Sequence, residues 1–152
     1  MIELTDEDIA VVYLLGGMRS TVAREAKVVD KKCGVHDGVA GDIDGFTGEY
    51  AFCKWNNLFP DIAASPRSGS YDCKTKTGTR IDIKTTRYKN GKLLATLKDN
   101  PDVDIYVLAI IDGKTVKFPG WISKLELCTD SNIRNLGHGD CYCMDQSELK
   151  PF

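Results

Sequence analysis

The chain has 152 residues, 42% hydrophobic and 28% charged, with a formal net charge of −2. That length fits a single domain over residues 1–152 with a core of its own, and the composition excludes disordered and collagen-like classes. No apolar run approaches the roughly 18 residues of a membrane-spanning helix, and the acidic start Met1-Ile2-Glu3-Leu4-Thr5-Asp6-Glu7-Asp8 is unlike a secretory signal, so a cytoplasmic protein is expected.

Thr5 followed by Asp8 is a capping-box pattern, and Ile9, Val12, Tyr13 and Leu14 repeat at helical spacing. These predict a helix over 5–15, broken at Gly16-Gly17. The mixed-charge stretch 19–32 predicts a second helix, and Gly34, Gly38 and Gly41 a loop over 33–41. Asp44 can cap a helix over 45–58, ended by Pro60. Residues 61–70 predict a loop. Strands are predicted over 70–76 and 79–86, joined through Thr77-Gly78, with a short segment Lys92–Leu97 after Asn90-Gly91. The stretch "DIYVLAIID" at 104–112 is almost wholly apolar and predicts a strand buried on both faces. "KTVKFPGWISKLEL" predicts a further strand and a turn at Pro119-Gly120; short strands and loops finish the chain.

The six cysteines are Cys33, Cys53, Cys73, Cys128, Cys141 and Cys143. Without a secretory signal, reduced thiols are expected, with Cys53 and Cys73 as small core residues. A zinc-binding structural protein is the alternative, through Cys33-x-x-His36 and Cys128, His138, Cys141 and Cys143, although the spacings lack the paired knuckles of zinc domains. "DIDG" at 42–45 matches the start of a calcium loop without its later ligand positions. Trp55 and Trp121 are expected in or near the core.

Charge is unevenly distributed. Residues 67–98 hold nine cations against two acids, Asp72 and Asp82, a local charge of +7 that leaves −9 for the rest. A basic middle in an acidic chain suggests an anionic partner. Lys74, Arg87 and Lys89 are candidate phosphate contacts, which position nucleic acid without reading its sequence. Tyr88 either stacks on a base or packs.

The acids of this segment share a face. Alternation along 80–86 puts Arg80, Asp82, Lys84 and Thr86 on one side and Ile81, Ile83 and Thr85 on the other. A hairpin folded about Thr77 sets Asp72 opposite Asp82. Carboxylates so opposed lie about 5 Å apart and repel, unless one is protonated or a cation lies between them. Glu49 falls on the apolar stripe of Phe46, Phe52 and Cys53, where a lone acid is costly. It either faces the acid pair or lies at a helix edge in solvent.

Asp72, nine residues, then Asp82-Ile83-Lys84, preceded by "GEYA" at 48–51, resembles the PD-(D/E)XK motif of the restriction-endonuclease-like nucleases. "IYVLAI" and "FPGWISKLEL" resemble the downstream part of small phage-type members, and the likeness spans roughly residues 40–127. It implies an α/β fold with a central mixed β-sheet flanked by helices. It implies a magnesium- or manganese-dependent nuclease acting on nucleic acid, DNA foremost, in the cytoplasm (the bacterial host's, if phage-encoded), with a homodimer left open. Asp72, Asp82 and the Ile83 backbone carbonyl would be metal ligands, Glu49 would bind the ion directly or through water, and Lys84 would deprotonate or orient the attacking water. Two features depart from the pattern: the Pro-Asp dipeptide, Pro60-Asp61, lies outside the strand, and Asp82 is the shorter of the two permitted acids. A catalytically inactive nucleic-acid-binding or phage–host interaction protein on the same fold is the alternative.

Overall fold

The computed structural model describes residues 1–27, 38–63, 71–98 and 100–152. A short strand, β1 (Ile2–Glu3), leads into α1 (Asp6–Glu25). The Thr5 cap forms as expected: the Thr5 hydroxyl accepts from the Asp8 N–H at 3.2 Å, and Asp8 Oδ2 accepts from the Thr5 N–H at 2.8 Å. The helix does not break at Gly16-Gly17. Interior glycines each cost a helix about 1 kcal/mol relative to alanine, but a Cβ at Gly16 would stand 3.1 Å from the Ile43 Cα. Glycine there lets the next helix cross closely. The end of the predicted 19–32 helix and residues 33–37 of the predicted loop, with Cys33 and His36, lie outside the described residues.

That next helix, α2 (Gly38–Trp55), begins well before residue 45. Asp44 therefore lies inside it rather than capping it, and its carboxylate takes a two-pronged contact from Arg87 at 2.6 and 2.7 Å. "DIDG" is helical, not a calcium loop. The helix ends at Trp55, and Asn57 adopts a left-handed conformation, φ 52°, shortly before Pro60.

The sheet follows from the strand patterns. In chain order come β2 (Cys73–Lys74), β3 (Arg80–Thr86), β4 (Leu93–Thr96), β5 (Ile105–Asp112) and β6 (Thr115–Ser123). A short α3 (Lys124–Leu127), β7 (Ile133–Asn135) and β8 (Asp140–Met144) complete the chain. Five strands form a mixed sheet in the order β1-β6-β5-β3-β2, with β3 and β5 parallel. The interior of β5 is buried throughout, as its apolar run predicts.

One face of this sheet packs on α2, with Phe52, Cys53, Ile81, Ile83, Val107 and Val116 in the core between them. The other face is not covered by a helical layer, as "flanked by helices" would require. A second sheet, β4-β8-β7, covers it with α3, around Leu93, Tyr106, Leu108, Ile122 and Leu127. The protein is α/β, with a mixed central sheet and, among the described residues, three α-helices.

Pro119-Gly120 does not turn the chain. β6 runs through it, and between Leu108↔Gly120 and Ile110↔Lys117 two residues of β6, Phe118 and Pro119, oppose the single Ala109. This bulge accommodates a proline that cannot donate to the ladder. A Cβ at Gly120 would lie 2.4 Å from the Lys150 carbonyl, so glycine here admits the C-terminal segment, which bridges Trp121 to Lys150. Trp55 stacks on Phe118 at 5.0 Å, at the margin of the core. Among the described residues, no helix is long and apolar enough to cross a membrane.

Candidate active site

The 71–86 hairpin folds about Thr77, with Gly78 at φ 98° and the pairs Lys74↔Arg80 and Cys73↔Ile81. Continued, this register would place Asp72 opposite Asp82, but the ladder slips there. The Asp72 N–H donates to the Ile81 carbonyl at 2.8 Å, and the Asp72 carboxylate accepts from the Ile83 N–H at 2.6 Å. The carboxylate thus takes the place of the next backbone acceptor along the edge of β3. A strand residue presents its N–H and C=O to the same neighbour, so the Ile83 carbonyl also faces this side, beyond the end of the two-residue β2.

Asp82 and Lys84 project from the face of β3 that carries Tyr106 and Leu108 on the neighbouring strand. Lys84 Nζ lies 2.6 Å from Asp82 Oδ1 and 5.8 Å from the Tyr106 ring centre. That oxygen is buried, and the Lys84 ammonium is its countercharge.

Glu49 comes from the opposite side of the sheet. α2 approaches β3 closely because Gly48 has no Cβ; one would sit 2.0 Å from Thr85 Oγ1 and 3.1 Å from Ala109 Cβ. The next residue, Glu49, has only 13% of its side chain exposed, and its Oε2 lies 2.7 Å from an Arg19 guanidinium nitrogen. Arg19 also donates to the carbonyls of Asp61 and Ala63 and lies 4.6 Å over the Phe46 ring. It ties α1, α2 and the segment after α2 together. A helix ended at Gly16 gave Arg19 no register against Glu49, so sequence reasoning missed it; the continuous α1 supplies that register.

The four predicted residues form one electrostatic unit. Burial raises the Asp72 carboxyl well above the usual carboxylate range, and the charges of Glu49 and Asp82 push it further; Lys84 and the Ile83 N–H oppose them without reversing the shift. Asp72 nevertheless keeps some accessible surface. Burial also raises Glu49, against the opposing Arg19. For Lys84, burial favours the neutral amine, but Asp82 and Asp72 outweigh it and hold the proton on. Among the described residues, no three His, Cys, Asp or Glu side chains are gathered so as to hold an ion between them. The carboxylates are instead engaged singly, Glu49 with Arg19, Asp72 with Ile83 and Asp82 with Lys84.

The other candidates are scattered. Asp61, of the Pro-Asp dipeptide, lies 3.8 Å from Arg19 and off the strands. Lys74 and Lys89 are exposed, while Arg87 is held by Asp44. Of the zinc candidates within the described residues, Cys141 is buried and donates to the Arg134 carbonyl at 3.6 Å. Cys53 and Cys73 are thiols in the core, as expected. Comparison with protein-family models, curated proteins and solved structures finds no match.

Proposed function

We propose that the chain is a metal-dependent nuclease that hydrolyses phosphodiester bonds of nucleic acid, DNA foremost, on a restriction-endonuclease-like core. One observation carries this reading: Glu49, Asp72, Asp82 and Lys84 act on one another electrostatically around the edge of β3 at Ile83, with Asp72 on the Ile83 N–H and Lys84 on Asp82. The donor set is all hard oxygen, which suits magnesium or manganese. The Asp72 and Asp82 carboxylates and the Ile83 carbonyl would hold the ion, with Glu49 alongside. When bound, it would acidify a water and neutralise charge on the phosphodiester.

The remaining roles belong to the chain. Asp72 and Glu49, both raised, lose protons as the site gains positive charge. Lys84 keeps its proton, so it orients water or a phosphoryl oxygen as a hydrogen-bond donor rather than acting as the initial base. Arg19 fixes the direction of Glu49. The test is incubation with single-stranded, duplex and branched DNA and RNA in magnesium, manganese or chelator. Cleavage that needs the metal supports the reading. A second reading, an inactive nucleic-acid-binding protein on the same fold, is favoured by the engagement of Glu49 with Arg19. Binding without cleavage on every substrate would select it.

A further inference from the structure

A groove of about 560 Å³ opens at the carboxyl ends of the parallel strands β3 and β5, away from the acid cluster. This is the end of a parallel pair where α/β sheets bind ligands, and the volume falls within the range of small-ligand sites. Ile110, Phe118 and Pro119 form an apolar wall, and Arg87, Lys89 and Lys117 supply positive charge. The one acid in the lining, Asp112, lies 3.4 Å from Lys117.

The loop that carries Arg87 and Lys89 is fixed from several directions. Arg87 is clamped by Asp44. The Tyr88 N–H donates to Thr86 Oγ1 at 3.2 Å, and the Gly91 N–H to the Tyr88 carbonyl at 2.8 Å. Gln146 Nε2 donates to the carbonyls of Lys89 and Gly91 at 3.0 and 2.8 Å. Lys89 makes no ion pair among the described residues, and Tyr88 is 71% exposed, so it does not pack. A loop held in place loses little further freedom on binding.

Resting on the nuclease reading above, we propose that this groove docks a single-stranded stretch of the nucleic acid, with Tyr88 as a platform for one base and Lys89 and Lys117 as phosphate contacts. A positive groove beside an exposed aromatic ring is the combination that binds single strands. In a duplex the bases are stacked and paired, and reaching the Tyr88 ring would require extruding one. Arg87 follows Lys84 by three residues, just beyond the end of β3, so the groove lies at the end of the strand that carries the acid cluster.

The test is fluorescence anisotropy with a labelled mixed-sequence DNA oligonucleotide, single-stranded and as its duplex, in chelator so that nothing is cleaved. The wild-type chain is expected to bind the single strand more tightly. Tyr88→Ala is expected to weaken that binding about ten-fold or more, while Tyr88→Phe, which keeps the ring, binds as wild type. Lys89→Ala with Lys117→Ala should reduce the log–log salt slope by about 1.4, two single-strand phosphates' worth. Thermal unfolding of each variant checks that the fold is kept. Unchanged binding by Tyr88→Ala, an unchanged salt slope, or a preference for duplex would overturn the proposal. Any of these alongside intact metal-dependent cleavage defeats the docking site alone, whereas loss of the nuclease reading would show as wild type that binds and never cleaves.

Discussion

Asp72 is half-buried beside two further carboxylates, and its aligned donor is the Ile83 N–H. In the unfolded chain it ionises near 3.8, while in the folded chain it holds its proton to higher pH. Over that interval the folded state binds more protons, so each rise in pH costs stability. Asp72→Asn removes the charge and keeps an acceptor for Ile83. In metal-free buffer at neutral pH it should raise stability on the order of 1 kcal/mol, or about 2–4 °C in Tm. A lower Tm would show that the three acids do not repel in the folded state. Asp8 works in the opposite direction. The residue is 5% exposed; burial alone would raise its carboxyl, but Lys54, the Thr5 N–H and Tyr50 outweigh burial and hold it at about 2, below its usual 3.8. The stability it adds is complete above about pH 4 and is lost as pH falls through about 2. Asp8→Asn should therefore cost about 2 kcal/mol at pH 7 and flatten the acid limb of a stability–pH curve measured by urea unfolding.

At the level of elements, the placement of Glu49 depends on how closely α2 lies on β3, and Gly48 sets that distance. Gly48→Ala should cost about 1–3 kcal/mol, because the added methyl must displace Thr85 or the helix. It should also disturb the Arg19–Glu49 pair, which the chemical shifts of the Arg19 side chain would report; an unaltered Tm and unaltered shifts would contradict the close approach. The same residue shows what the sequence made legible. Local patterns held: the Thr5 cap, the hairpin about Thr77, and the apolar β5 are each specified by neighbours in the chain. The misread signals were glycines and a proline whose reasons are long-range. Gly16, expected to break a helix, serves Ile43, and Gly120, expected to turn the chain, serves Lys150; neither partner is close in sequence, and the same holds for Gly48 and Thr85. Alternation put Asp82 beside Lys84, but the slip that turns the Asp72 carboxylate onto Ile83 instead of setting it opposite Asp82, and the arrival of Arg19 at Glu49, depend on contacts no local pattern announces.

Over the whole molecule, the basic middle of the chain is less available than its charge suggests. Of the nine cations in 67–98, Arg80, Lys84, Arg87 and Lys92 are engaged by Asp104, Asp82, Asp44 and Asp145, and Arg67 lies outside the described residues. Lys74, Lys76, Lys89 and Lys98 make no ion pair among the described residues, so within this segment the phosphate contacts of the proposed reading fall to these lysines rather than to a uniform patch. Around the acid cluster, the nuclease reading gives Asp82 and Lys84 a part in chemistry rather than in stability. The direct measurement is the rate of magnesium-dependent DNA cleavage by wild type, Asp82→Asn and Lys84→Ala, each shown to be folded by its thermal transition. Both variants are expected to lose cleavage by orders of magnitude, and excess manganese, the tighter binder at carboxylate sites, to restore part of the Asp82→Asn activity and none of the Lys84→Ala activity. Cleavage at the wild-type rate in either folded variant would contradict it.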